Sequence, residues 1–231
     1  MPPTTDQARW FTKAPGIGLS VVAAACALLL ASCAATSREP ANLFSLKQEI
    51  RAYVDSGQYD REIAVVADRA GAWLEERVPR GGGRLAIVFD LDETLLGNWP
   101  HISADDFGYI PARWDAWVRE AKAPAIKPVR EVYRTARRLG VEVIFLTGRR
   151  ERERADTAKN LRAIECGEYA ELICKADDAK ETTEVFKTAA RRRIVAEGRV
   201  INANIGDQES DLAGGFAERT FKLPNPFYLT K

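Results

Sequence analysis

Short apolar runs alternate along the chain with longer stretches in which apolar residues return every three or four positions. The runs are LAIVF (Leu85–Phe89), VEVIFLT (Val141–Thr147) and VINANI (Val200–Ile205), with weaker ones at Ala170–Cys174 and Thr220–Leu223. Runs apolar on both faces predict strands covered on both sides, and therefore parallel pairing. Helical spacing predicts helices over Leu43–Val54, over Asp60–Val78 with Ile63, Val66, Ala67, Ala70 and Leu74 on one face, and over residues 151–165 and 182–197. The clearest helix is KPVREVYRTARRLG, where Pro128 suits the first turn, Gly140 suits the stop, and Val129, Val132, Tyr133 and Ala136 share a face. PRGGGR, Pro79–Arg84, breaks the chain just before the first strand. Strand and helix in alternation predict an α/β fold, a parallel sheet with helices on both faces.

In such a sheet the ligand lies beyond the carboxyl ends of the strands. Asp90 and Asp92 follow the first run, Thr147, Gly148 and Arg149 close the second, and Asp207 and Asp211 follow the fourth in GDQESD. Polar groups thus gather at the end of the sheet where chemistry is expected. Neighbouring carboxylates repel, so their convergence costs stability unless a cation or a shared proton lies between them.

Composition narrows the picture. The 231 residues suit one domain, and 34 basic against 33 acidic side chains leave no global field that would attract nucleic acid. Residues 1–32 read as a secretory signal: Arg9 and Lys13 precede the uncharged stretch Gly16–Ala31. LASC, Leu30–Cys33, resembles the lipobox of bacterial lipoproteins. That resemblance implies cleavage before Cys33, lipid on its thiol, and residues 33–42 as a tether. The alternative is an uncleaved helical anchor, since Gly16–Ala35 reaches the roughly 20 residues of a membrane span. Both place the remainder outside the cytoplasm. Ala34 after Cys33 favours sorting to the periplasmic face of a bacterial outer membrane. Cys166 and Cys174 would remain, either paired in an oxidising compartment or as reduced core thiols. His101 is the single histidine and reads as a packing or surface residue.

Four motifs in order carry a family resemblance. Asp-X-Asp-X-Thr after a strand, LTGR after the next, a helix-borne lysine and GDQESD after another together resemble the haloacid dehalogenase (HAD) superfamily of phosphotransferases. VFDLDETLLGN, LTGR, VFKTAARRRIVAEG, NIGDQESDL and FKLPNPFY are closer still to its class B-like acid phosphatases, the branch of plant acid phosphatases and bacterial lipoprotein acid phosphatases. The likeness covers roughly residues 45–231.

It implies a HAD-like Rossmannoid domain over 43–231 with a small helical cap inserted at about 97–127. It also implies a Mg2+-dependent acid phosphatase of small phosphate monoesters. Asp90 would be the nucleophile, forming an aspartyl-phosphate that splits a difficult displacement into two easier ones. Asp92 would be the general acid and then the general base. Mg2+ would take the carboxylates of Asp90, Asp207 and Asp211 and the backbone carbonyl of Asp92. Thr147 and Gly148 would receive the phosphate, and Lys187, favoured over Lys175 and Lys180, would neutralise its charge. Arg191–Arg193 read as a solvated helix face, and Arg149 has no fixed role. The cap aromatics Trp99, Phe107, Tyr109, Trp114 and Trp117 either stack on a leaving group or form the cap's own core, which is favoured. A storage-like relative without catalysis and a phosphotransferase to alcohol acceptors are the alternatives.

Overall fold

Five parallel strands carry the structure, a computed structural model that describes residues 39–230. The signal segment, Cys33 and most of the expected tether lie outside the described residues. In chain order the elements are α1 (Leu43–Asp55), α2 (Gln58–Arg77), β1 (Arg84–Phe89), α3 (Trp99–Ala104), α4 (Pro111–Glu120), α5 (Lys127–Arg138), β2 (Glu142–Arg150), α6 (Arg154–Ala163), β3 (Glu171–Lys175), α7 (Thr183–Ala196), β4 (Arg199–Gly206), α8 (Glu209–Leu212) and β5 (Thr220–Lys222). Among the described residues no helix is long and apolar enough to cross a membrane.

The strand order is β3-β2-β1-β4-β5. Alternation along each strand divides the core in two. Ile87, Phe89, Val143, Phe145, Ala203 and Ile205 join the cluster that includes Ile63, Ala70 and Leu74 of α2 and Val129, Val132 and Ala136 of α5. Ala86, Val88, Ile144, Leu146 and Ile201 pack on Ala190 and Ile194 of α7. The α/β expectation, with helices on both faces, is met. Proline stands in the first turn of α5, and Gly140 just beyond it adopts φ +72°, a conformation that favours glycine at a helix stop.

Chain direction reverses beside β1: the chain steps outward to β2 and β3, then returns across β1 to β4 and β5. This topological switch opens a crevice between the carboxyl ends of β1 and β4. Asp90 leaves β1 there, its N–H bonded to the Ile205 carbonyl of β4 at 2.9 Å.

Two expectations need correction. Thr147 does not end its strand. β2 runs on through Gly148 and Arg149 to Arg150, which pairs with Lys175 beyond an irregularity in the register, and α6 starts only after a short turn. The Thr147 hydroxyl accepts the Arg149 N–H at 3.1 Å. Arg191 is fully buried, while Arg192 and Arg193 face solvent as expected. Cys166 and Cys174, left open between two states, are buried free thiols. Burial pushes both thiols above their usual range, to about 12 and about 11, which suits inert packing residues.

Candidate active site

A single ammonium joins the two ends of the site. Lys187, projecting from α7, donates to Asp90 Oδ1 and, at 2.6 Å, to Asp211 Oδ1. Asp90, Asp207 and Asp211 are all buried, and each offers a carboxylate oxygen within 4.8 Å of the others. Asp207 is fixed by Thr94 Oγ1 at 3.0 Å, Gln208 Nε2 at 2.7 Å and Asn225 Nδ2 at 2.7 Å. Asp211 accepts the Gln208 N–H at 2.8 Å across the one-turn helix α8. A Cβ at Gly206 would come within 2.4 Å of Asp211 Cβ, so only glycine lets that carboxylate reach the cluster.

Burial, reinforced by Asp211, Asp207 and Asp92, pushes Asp90 well above the usual carboxylate range although Lys187 pulls it down. Burial and Asp211 likewise raise Asp207. Burial pulls Lys187 down, but Asp90 and Asp211 outweigh it and hold the ammonium charged. Three buried hard-oxygen donors against one ammonium make a set that fits a divalent cation.

Asp92 stands beside this cluster. Arg149, its side chain only 1% exposed, grips it in a fork: Nη2 to Oδ1 at 2.7 Å and Nε to Oδ2 at 3.0 Å. Asn98 Nδ2 donates to Asp92 Oδ1 at 2.9 Å. Glu93, at φ +56° and buried, accepts the Asn98 N–H at 2.7 Å and the Tyr228 hydroxyl at 2.6 Å. Burial, with the Asp92 charge adding to it, pushes Glu93 up to about 8. A cavity of about 680 Å³ opens over these groups, a volume suited to a small molecule. Asp90, Asp92, Gly148, Lys187, Asp207 and Asp211 line it, together with Phe107, Tyr109 and Trp114 from the stretch between β1 and β2 and Tyr228 of the C-terminal segment.

The HAD superfamily, subfamily IIIB (acid phosphatase), matches residues 19–231. The chain belongs to that family. Acid phosphatase 1 of Solanum lycopersicum is 37% identical over 184 residues, 78% of this chain and 72% of that protein. Vegetative storage protein 1 of Arabidopsis thaliana is 29% identical over 196 residues, 81% of this chain and 73% of that one. Among solved structures, the class C acid phosphatase of Bacillus anthracis shares the fold at a TM-score of 0.68 and 24% identity, over 80% of this chain and 86% of that one. This HAD acid phosphatase is a phosphoric monoester hydrolase by family.

Of the expected site residues of the phosphatase, the fold brings together Asp90, Asp92, Lys187, Asp207, Asp211 and Gly148. Thr147 is fully buried and does not line the cavity that Gly148 and Arg149 border. Lys175 lies apart, donating to the Glu181 carbonyl at 2.5 Å, and Lys180 is exposed. The aromatics between β1 and β2 divide. Trp99 stacks on Phe227 and Trp117 on His101, whereas Tyr109 and Trp114 face the cavity. The motifs did not mark Glu93, Asn98, Asn225 and Tyr228 as site residues, and they left Arg149 without a role. Arg191 supports the site from beneath: it donates to the backbone carbonyls of Asp211 at 2.5 Å, of Ala213, and of Gly215 at 3.0 Å, pinning the loop after β4. One signal was available, since Lys187, Ala190, Arg191 and Ile194 follow the spacing of one buried helix face.

Glu93 makes stability depend on pH. Its folded-state value of about 8 exceeds its ordinary 4.5, so its contribution is full below 4.5 and is lost as pH rises through about 8. Asp90 and Asp207 act in the same sense in metal-free protein. The Tm of chelator-treated enzyme is expected to fall by about 5 °C or more across that interval. Glu93→Gln should flatten the fall in a thermal melt series; equal slopes in the two proteins would remove Glu93 as its source.

Proposed function

We propose that this acid phosphatase hydrolyses small phosphate monoesters in a divalent-cation-dependent reaction through an aspartyl-phosphate on Asp90. The observation that carries the reading is the convergence of the Asp90, Asp207 and Asp211 carboxylates in the cavity, with Lys187 bridging Asp90 and Asp211. Asp90 attacks phosphorus, an Asp90 oxygen–phosphorus bond forms, and the ester oxygen–phosphorus bond breaks. Asp92 passes a proton to the departing alcohol oxygen. It then takes a proton from the water that attacks the phosphoenzyme, which returns Asp90 and releases inorganic phosphate. Lys187 lies where it offsets charge on Asp90 and on a bound phosphoryl group.

Asp90, Asp207 and Asp211, with the Asp92 backbone carbonyl, would hold Mg2+, which when bound supplies positive charge to the carboxylates and to the phosphoryl oxygens. Gly148, which lines the cavity, would receive a phosphate oxygen along its backbone. Tyr109 and Trp114 give the leaving-group side of the cavity an aromatic wall.

Release of phosphate from a chromogenic monoester tests the reading. Chelator and Asp90→Asn should each lower turnover by at least about a thousand-fold. Phosphorylated Asp90 should be recoverable from wild type quenched in turnover. Equal turnover in wild type and variant would overturn the mechanism through Asp90.

We further propose that the mature protein is held by lipid on Cys33 at the periplasmic face of a bacterial outer membrane. The support is the run Gly16–Ala31 followed by Leu30–Cys33. Metabolic labelling with a fatty acid should mark wild type and leave Cys33→Ser unlabelled; label in both would overturn this proposal.

A further inference from the structure

Two side chains hold the Asp92 carboxylate, and each leans on a tryptophan of the same cap helix. Asn98, fully buried, donates from Nδ2 to Asp92 Oδ1 at 2.9 Å and to Glu93 Oε2 at 3.2 Å. Its Oδ1 accepts the indole N–H of Trp117 at 2.8 Å. An indole nitrogen only donates, so this bond permits one orientation of the amide, the one that aims its N–H groups at the carboxylates. Turned over, the amide would set N–H against N–H and oxygen against oxygen. The second holder, Arg149, carries its guanidinium 5.5 Å from the ring centre of Trp114. Trp114 and Trp117 are three residues apart on α4 and share a face.

We infer that the cap helix Pro111–Glu120 sets the position of the Asp92 carboxylate, with Trp117 acting through Asn98 and Trp114 acting through Arg149 as positioning residues. The inference rests on the reading of Asp92 as the proton donor. The cap then does more than cover the cavity. Displacing it would free the amide to turn over and strip the ring face from the guanidinium, which keeps only its bond to Thr157 at 3.2 Å beside those to Asp92, and a carboxyl less firmly held would lose its aim at the ester oxygen. Protonation of the leaving group would suffer while phosphoryl transfer itself continued.

Leaving groups separate the two effects. An alkoxide needs the proton, whereas 4-nitrophenolate departs as a stable anion. The measurement is the ratio of kcat/KM for 4-nitrophenyl phosphate to that for glycerol 2-phosphate, which reports the step that forms the phosphoenzyme. Both rates come from one preparation, so the fraction of active enzyme cancels. Trp117→Phe keeps the ring packing against His101 and removes the N–H. The ratio should rise by about ten-fold in Trp117→Phe, and likewise in Asn98→Leu, against a larger rise in Asp92→Asn, part of the 10²–10⁴-fold that general acid catalysis supplies. A purely structural role for Trp117 would lower both rates together. An unchanged ratio in Trp117→Phe and Asn98→Leu, with a raised ratio in Asp92→Asn, overturns the positioning role alone. An unchanged ratio in Asp92→Asn as well overturns the proton-donor reading and the inference with it.

Discussion

The site depends on an imbalance of buried charge. Three carboxylates, Asp90, Asp207 and Asp211, share a buried space with one ammonium, Lys187. Removing a charge from water costs several kcal/mol even after relaxation, and one lysine cannot offset three aspartates. Two remedies remain, a proton or a further cation. The raised values of Asp90 and Asp207 are the first remedy, since burial drives these carboxyls toward the neutral form when nothing else compensates. A divalent ion is the second, and it would return Asp90 to its anionic form, the form the proposed attack on phosphorus requires.

Much of the surrounding architecture holds that unfavourable cluster in place. The strand order brings Asp90 at the end of β1 beside Asp207 at the end of β4. Gly206 leaves room for Asp211, and Arg191, buried beneath, ties down the loop that carries it. From above, the C-terminal segment contributes Asn225 to Asp207 and Tyr228 to Glu93. Glu93 itself takes a left-handed conformation that is uncommon outside glycine, asparagine and aspartate, and its carboxylate is fully partnered there.

The strands, most of the helices and the acidic cluster were legible in the sequence because each rests on local pattern. Leu85–Phe89 and Val200–Ile205 are continuous apolar runs, and the aspartates follow them directly. Residues whose role arises from distant contacts were not legible. Asn98 meets Trp117 and Tyr228 meets Glu93 only after folding, and Arg149 reaches Asp92 57 residues away. The extension of β2 past Thr147 was hidden because Gly148 and two arginines carry no strand signal, yet the edge pairing of Arg150 with Lys175 keeps them extended. Arg191 was misread for a different reason: a run of three arginines resembles a solvated face, and the helical register that separates the first from the others outweighs that appearance.

Calorimetric titration of Mg2+ into chelator-stripped protein tests the central charge imbalance most directly. Wild type should bind one ion per chain, and Asp207→Asn should bind it at least about a hundred-fold more weakly. A wild type that takes up no divalent cation, or a variant that binds Mg2+ as tightly as wild type, would contradict the account.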